Sequence, residues 1–197
     1  VDPLPEWDCD AGMFTAGDDV VGWRREEDAH AAASLGATVR HLSHWDWQYR
    51  SPAYGYDGPT RHGELAAAVA ADLARVIADV GAATVLVPLG IVHPDHQATA
   101  AGCLIVARRR PAVDWLVYDD LPYAEEYPTE LARTVDALRD QGGALESTGA
   151  VETTEEGESV KRNALQCYPS QVVALGDRVE QTIAAAERIR RLVIPPD

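Results

Sequence analysis

Residues 84–97 read Thr84-Val85-Leu86-Val87-Pro88-Leu89 and then Gly90-Ile91-Val92-His93-Pro94-Asp95-His96-Gln97. The first half is a continuous apolar run, which is typical of a strand buried on both faces of a parallel sheet. The second half opens a run of small residues that favours a helix, so two histidines and an aspartate lie where a strand ends and a helix begins. In open α/β sheets, ligands and catalytic groups collect at that edge.

His93 and His96 are three residues apart and close enough to share one site. A neutral imidazole can bind a metal ion, and a positioned imidazole can transfer protons near neutral pH. Asp95, which lies between them, can orient a ring through its second nitrogen. The pattern H-x-x-H also occurs by chance, and the alternative is a helix start capped by Asp95 with two solvated histidines.

Helical spacing and short apolar runs alternate along the chain, and they predict the following elements. Helices are predicted over residues 19–35, 61–80, 96–109, 128–140, 160–168 and 177–193, and strands over 37–42, 85–89 and 115–118, with a further edge strand at 150–153. This alternation predicts an α/β protein, a Rossmann-like three-layer sandwich with a mostly parallel sheet. We expect one domain over residues 1–197.

The composition limits the classes of partner. The 197 residues carry a formal net charge of −15, which argues against nucleic acid and anionic membrane surfaces as partners. No apolar run approaches the length of a membrane span. Three scattered cysteines, Cys9, Cys103 and Cys167, form neither a disulfide framework nor a metal knuckle, so we expect a cytoplasmic protein with Cys103 in the core. The oligomeric state stays open.

The order strand, H-P-D-H, helix resembles the second signature of the LmbE-like (PIG-L) N-deacetylases, which are zinc hydrolases that act on N-acetylated amino sugars. The stretch Arg24-Arg25-Glu26-Glu27-Asp28, with Ala31 and Leu35-Gly36, is similar to the family's R-x-x-E-x-x-x-A-x-x-x-L-G helix. Residues 119–123 and 161–171 are similar to segments of the branch that includes deacetylases of glycopeptide-antibiotic biosynthesis. Taken alone, each stretch also fits a structural role, as an amphipathic helix with ion pairs or as a brace for loops.

The resemblance implies a zinc-dependent hydrolase that removes an N-acetyl or N-acyl group from a small-molecule amino-sugar conjugate. It implies that His96 binds zinc, that His93 stabilises the oxyanion and protonates the leaving amine, and that Asp95 orients His93. It also implies that Arg24 and Asp46 bind the substrate.

Two further groups of residues leave their roles open. The aromatic loop over residues 45–56 is either a platform for a sugar or a structured surface loop. His30, His41, His44 and His62 have no marked partner in the sequence, and we expect them to be solvated.

The family's first signature, H-x-D-D, does not occur in residues 1–197. It supplies a zinc histidine, a zinc aspartate and the catalytic base, so we expect an N-terminal strand–helix–strand unit of roughly 30 residues to lie outside this sequence. Residues 1–197 alone would then form an incomplete sheet without catalytic zinc, or a domain completed by a further segment. Two alternatives stay open: hydrolysis of another small amide, and a metal-free binding or assembly protein that keeps the fold.

Overall fold

The structure is a computed structural model, and it describes residues 13–15, 17–50, 58–59, 61–148 and 154–195. The chain divides into two compact units. We call Val1–Asp57 with Thr153–Ala185 the helical unit, and Gly58–Glu152 with Ala186–Asp197 the sheet unit.

The elements follow one another in chain order. They are α1 (Val20–Ser34), a 3₁₀ turn (Trp47–Tyr49), α2 (His62–Val80), β1 (Thr84–Pro88), α3 (Pro94–Arg109), β2 (Asp114–Tyr118), α4 (Tyr123–Glu126), α5 (Pro128–Asp140), β3 (Ala144–Ser147), α6 (Glu155–Leu165), α7 (Pro169–Leu175), α8 (Arg178–Ala184) and β4 (Ile189–Val193). The α/β class is therefore confirmed. No helix in the described ranges is long and apolar enough to cross a membrane.

The sheet has the strand order β1-β2-β4-β3. β1 and β2 are parallel, with Thr84 opposite Asp114 and Pro88 opposite Tyr118, and α3 forms the crossover between them. β4 runs antiparallel to both β2 and β3. The expectation of a mostly parallel sheet is therefore wrong, because only the pair joined by a helical crossover is parallel and the described sheet is mixed.

The core of the sheet unit lies on one face of the sheet, against α2, α3 and α5. Its buried members include Ala70, Ile77, Val87, Val106, Trp115, Val117, Leu138 and Leu192. Close approach of α2 and α3 requires Gly102, because a Cβ there would lie 2.9 Å from the Ala66 carbonyl oxygen and 2.9 Å from Val69 Cγ1. Cys103 is buried in this core as predicted, and burial raises the pKa of its thiol to about 12.

β1 is not buried on both faces as the apolar run predicts. Val87 is buried, whereas Leu86, on the opposite face, keeps 50% of its surface exposed. An apolar run specifies a strand, but the coverage of each face depends on which elements pack there.

The segment over 37–42 lies within the described residues and forms no strand. Most of its side chains are exposed, including Val39 at 43%. Strand structure is stabilised by pairing with a neighbour rather than by local propensity alone, so a β-favouring sequence does not make a strand by itself.

The predicted helix over 177–193 is wrong in its second half. α8 ends at Ala184, and residues 189–193 form β4, which pairs on both sides within the sheet. The apolar residues of this segment fit both a helical and an alternating pattern, and tertiary pairing selected the strand. The strand predicted at 150–153 lies outside the described residues.

Candidate active site

The turn after β1 has an unusual backbone. Gly90 has φ +89°, and a Cβ at this position would lie 2.7 Å from Ala100 Cβ, so only glycine fits. Val92 has φ +59°, and the His93 amide donates to the Ile91 carbonyl at 2.6 Å, which closes a three-residue γ-turn. A positive φ at a β-branched residue is strained by about 1–3 kcal/mol, and such strain clusters at functional sites.

Asp120, just beyond β2, holds this turn in place. Its side chain is fully buried, and its Oδ2 accepts hydrogen bonds from the amides of Gly90 at 2.8 Å and Ile91 at 3.1 Å. Its Oδ1 lies 2.7 Å from His96 Nδ1. The paired ends of β1 and β2 bring these groups together, since Pro88 and Tyr118 are opposite one another. One carboxylate therefore fixes both the turn and a histidine ring.

The contact with Asp120 selects the tautomer of the neutral His96 ring. A ring that donates Nδ1–H to a carboxylate carries its lone pair on Nε2 when it is neutral. Metal-binding histidines characteristically donate their second nitrogen to a carboxylate in this way. The His96 side chain is 37% exposed. His96 therefore has the environment of a metal ligand.

His93 lies at the N-cap of α3, where its Nδ1 accepts a hydrogen bond from the Asp95 amide at 3.2 Å. The Asp95 carboxylate oxygen Oδ2 lies 4.0 Å from the same nitrogen. Because Nδ1 is an acceptor, the neutral ring carries its proton on Nε2. The Asp95 amide thus contacts the His93 ring directly, with the Asp95 carboxylate beside it.

Tyr123, at the start of α4, completes a cluster of three rings. The two imidazole centroids are 5.0 Å apart. The Tyr123 ring meets His96 edge-on at 5.7 Å and lies 6.2 Å from His93. The neighbouring Asp119 is buried and pairs with Arg190. We refer to His93, Asp95, His96, Asp120 and Tyr123 as the histidine site.

In the histidine site, the contact between His96 and a carboxylate matches that of a metal-binding histidine. In the part of the chain that the structure describes, no group of three or more His, Cys, Asp or Glu side chains could hold a metal ion. Near the N-terminus, Asp18 accepts from Thr15 and Asp19 caps α1, so both carboxylates have partners within the chain. Asp8 and Asp10 lie outside the described residues. His96 fits zinc, but the remaining ligands are not among the described side chains.

In the helical unit, the structure brings the two predicted substrate-binding residues together. Arg24 Nη1 lies 4.0 Å from Asp46 Oδ2, and the two side chains are 18% and 53% exposed. In the amide orientation that satisfies both groups, Gln171 Oε1 accepts from Arg24 Nε at 2.8 Å and from Nη2 at 3.2 Å.

Glu27 and Asp28, two acidic residues of α1, contact the segment that carries Gln171. Glu27 is buried and accepts from the Ser170 amide at 2.8 Å and the Ser170 hydroxyl at 2.6 Å, with Trp23 Nε1 at 3.2 Å. Burial, reinforced by the charge of Asp28 and by a hydrogen bond to it, raises the pKa of Tyr168 to about 12. We call Arg24, Glu27 and Asp28 with Tyr168, Ser170 and Gln171 the polar bridge.

Several expectations about individual residues change with the structure. His41 is not simply solvated, because its Nε2 lies 2.8 Å from Asp28 Oδ2. Within the aromatic loop, Trp47 is 48% exposed while Tyr49 is buried at 2%. Tyr54 and Tyr56 lie outside the described residues.

The sequence also left the roles of two contacting residues unassigned. Asp120 and Gln171 were recognisable only as members of the family-like segments 119–123 and 161–171.

Comparison with known proteins identifies the fold. No family model and no curated protein sequence matches the chain. Among solved structures, a triple mutant of a deacetylase in the teicoplanin biosynthetic pathway matches with a TM-score of 0.73 and 26% identity, over 97% of this chain and 79% of that one. The zinc-inhibited form of teicoplanin deacetylase matches at 0.74 and 24%, over 98% and 84% of the two chains. The A40926 pseudoaglycone deacetylase matches at 0.73 and 23%, over 100% and 83%. The chain therefore has the fold of these antibiotic-biosynthesis deacetylases.

Proposed function

We propose that this protein is a zinc-dependent N-deacetylase that removes an acetyl or other acyl group from a small amino-sugar conjugate. The observation that carries the proposal is the hydrogen bond from His96 Nδ1 to the buried carboxylate of Asp120, with His93 beside it. This arrangement is typical of a metal-binding histidine next to a second, proton-handling imidazole. The fold shared with deacetylases supports the reaction class.

His96 would hold the metal through Nε2, together with ligands that are not among the described residues. Zinc, when bound, would supply hydroxide as the nucleophile near neutral pH by lowering the pKa of water to about 7. Asp120 keeps the His96 ring in the tautomer and orientation that this requires.

His93 acts on the amide itself. Its Nε2–H can donate to the amide oxygen as negative charge develops there. When protonated, the ring can pass a proton to the leaving amine. The Asp95 amide donates to Nδ1 of the neutral ring, and the Asp95 carboxylate, 4.0 Å from that nitrogen, is the acceptor that the ring would turn towards once Nδ1 is protonated.

Arg24 and Asp46 would bind hydroxyl groups of the sugar. A guanidinium presents several donors in a fixed plane, and a carboxylate presents acceptors, so the pair matches groups that both donate and accept. A small-molecule partner is supported by a solved neighbour in complex with teicoplanin.

The test is a pair of histidine variants, assayed for zinc content and for deacetylation of an N-acetylglucosamine conjugate. His93→Ala should retain zinc and lose turnover by roughly 10²–10⁴-fold, the contribution of a general acid. His96→Ala should lose both. His30→Ala, an exposed position on α1, is the matched control and should change neither.

Other outcomes discriminate between the alternatives. Equal zinc loss in both variants would mean that the two roles are assigned wrongly. A folded protein that binds the sugar without zinc and without turnover would instead favour a metal-free binding protein.

A further inference from the structure

Gln171 contacts one specific edge of the Arg24 guanidinium. Its Oε1 accepts from Nε at 2.8 Å and from Nη2 at 3.2 Å, so it engages the two parallel N–H groups of that edge. Asp46 Oδ2 lies 4.0 Å from Nη1, the guanidinium nitrogen that Gln171 does not contact. The amide oxygen therefore restrains Nε and Nη2, while Nη1 is the nitrogen nearest Asp46.

The backbone that carries Gln171 is anchored by buried groups. Ser170 and Glu27 keep only 3% of their surface each, and two hydrogen bonds of 2.8 and 2.6 Å join them. The Tyr168 hydroxyl also bonds the Asp28 carboxylate. Because the backbone around Gln171 is fixed, its amide oxygen is held in place at little further entropic cost. An unrestrained arginine side chain has about 2 kcal/mol of rotamer entropy to lose.

Electrostatics alone would orient Arg24 differently. With Asp46 as its sole partner, the guanidinium would gain most by turning a bidentate edge onto the carboxylate. The neutral Gln171 oxygen occupies the Nε edge, and the Arg24–Asp46 separation of 4.0 Å leaves the pair in contact but not in a short hydrogen bond. A guanidinium in contact with a carboxylate presents donors and acceptors side by side, which suits neighbouring hydroxyl groups.

We propose that Gln171 is a positioning residue that fixes the guanidinium plane of Arg24, so that Arg24 and Asp46 recognise a pair of adjacent sugar hydroxyls. This inference rests on the proposed function of those two residues. Gln171 does not itself touch substrate, and it acts through Arg24.

The experiment compares Gln171→Leu, which removes the acceptor, with Gln171→Glu, which keeps an oxygen in the same place. The probes are methyl N-acetylglucosaminide, which carries adjacent hydroxyls, and N-cyclohexylacetamide, which carries none. Calorimetric affinity, KM, kcat and the unfolding midpoint are measured for each protein.

Gln171→Leu should weaken binding and raise KM for the glucosaminide about tenfold, within the range for loss of an acceptor from a charged donor. Its kcat for the glucosaminide and its activity on the hydroxyl-free amide should stay unchanged. Gln171→Glu should restore the affinity for the sugar to within about threefold of the wild type. Unfolding midpoints should be similar, because Gln171 is only partly buried.

The inference is overturned if Gln171→Leu binds the sugar as tightly as the wild type does. It is also overturned if both probes lose activity equally, if Gln171→Glu fails to rescue, or if the wild type binds no sugar. Sugar binding without deacetylation by the wild type would refute the proposed reaction instead, and the affinity measurements would still decide the role of Gln171.

Discussion

The histidine site and the polar bridge are built in opposite ways. The histidine site takes His93, Asp95 and His96 from four consecutive residues, and its turn depends on the backbone of Gly90 and Val92. The polar bridge joins residues as far apart as Glu27 and Ser170, which are 143 positions apart, and depends on side chains. A local motif can be recognised in a sequence, whereas a bridge of this kind becomes visible only after folding.

The two regions also use buried carboxylates differently. Asp120 accepts from two backbone amides and contacts a histidine ring that remains partly exposed, so it links the buried turn to a side chain that solvent reaches. Glu27 accepts from Ser170 and Trp23, and so its role is to join two segments of the helical unit. This comparison predicts that loss of Asp120 affects both stability and chemistry, whereas loss of Glu27 affects mainly stability.

The largest expected effect is that of Asp120→Ala. It leaves the amides of Gly90 and Ile91 without their buried acceptor and removes the partner of His96, so unfolding free energy should fall by about 3–5 kcal/mol. Asp120→Asn should keep most of that stability, because one oxygen can still accept from both amides. Its NH₂ would face His96 Nδ1 and move the neutral ring's proton to Nε2, which nitrogen NMR of the histidines can detect. Equal destabilisation by Asn and Ala would contradict the proposed anchoring.

The next largest loss of unfolding free energy is expected for Glu27→Ala. It removes the acceptor for the Ser170 amide and hydroxyl, and chemical denaturation should show a loss of about 2–4 kcal/mol. Glu27→Gln retains one carbonyl oxygen and should lose less than half of this. Glu26→Ala, exposed on the same helix, serves as the control and should stay within about 0.5 kcal/mol of the wild type. A Glu27→Ala protein as stable as that control would mean that the polar bridge does not hold the helical unit together.

Gly90→Ala tests how far the turn of the histidine site depends on its backbone conformation. It combines an unfavourable φ of +89° with a contact of 2.7 Å to Ala100, and should cost about 1–3 kcal/mol of unfolding free energy. Gly81→Ala is a matched control, because Gly81 has φ +64° but open space around its Cβ position. The difference between the two variants isolates the steric contact, and identical losses would show that Ala100 yields without cost.

The smallest expected effect is a loss of folding stability at alkaline pH, to which one tyrosine in each unit contributes. Burial, followed by the charge of Asp120, raises the pKa of Tyr118 to about 12, and burial followed by the charge of Asp28 raises the pKa of Tyr168 to about 12. An unfolded tyrosine has a pKa of about 10, so each folded hydroxyl holds its proton more tightly. The resulting stability is complete below about pH 10 and is lost as pH rises towards 12.

Urea unfolding at pH 8 and at about pH 11 checks this prediction. Tyr118→Phe and Tyr168→Phe should each flatten the loss of stability to a similar extent, since burial raises the pKa of both hydroxyls to about 12. Variants whose pH dependence matches that of the wild type would show that neither hydroxyl is linked to folding in this range.

Local periodicity predicted some elements almost to the residue. The helix predicted over 128–140 is α5, with the same bounds. The helix predicted over 61–80 begins one residue later and ends at Val80 as predicted, with Gly81 as its C-cap at φ +64°. These succeeded because an apolar stripe and a glycine C-cap are properties of neighbouring residues. The prediction of a helix over 189–193 failed because the apolar spacing of this segment suits a helix as well as a strand. Pairing with β2 and β3 made it a strand.

The sequence by itself determined the α/β class and the strand–turn–helix that carries His93, Asp95 and His96. It also determined that Cys103 is a small residue of the core. All of these depend on residue type and spacing within a few positions. Only the tertiary structure decided that Asp120 holds His96, that Gln171 holds one edge of Arg24, and that residues 189–193 form a central strand. Contacts between distant residues form only when the folded chain brings their strands and helices together, and one-dimensional spacing does not record that geometry.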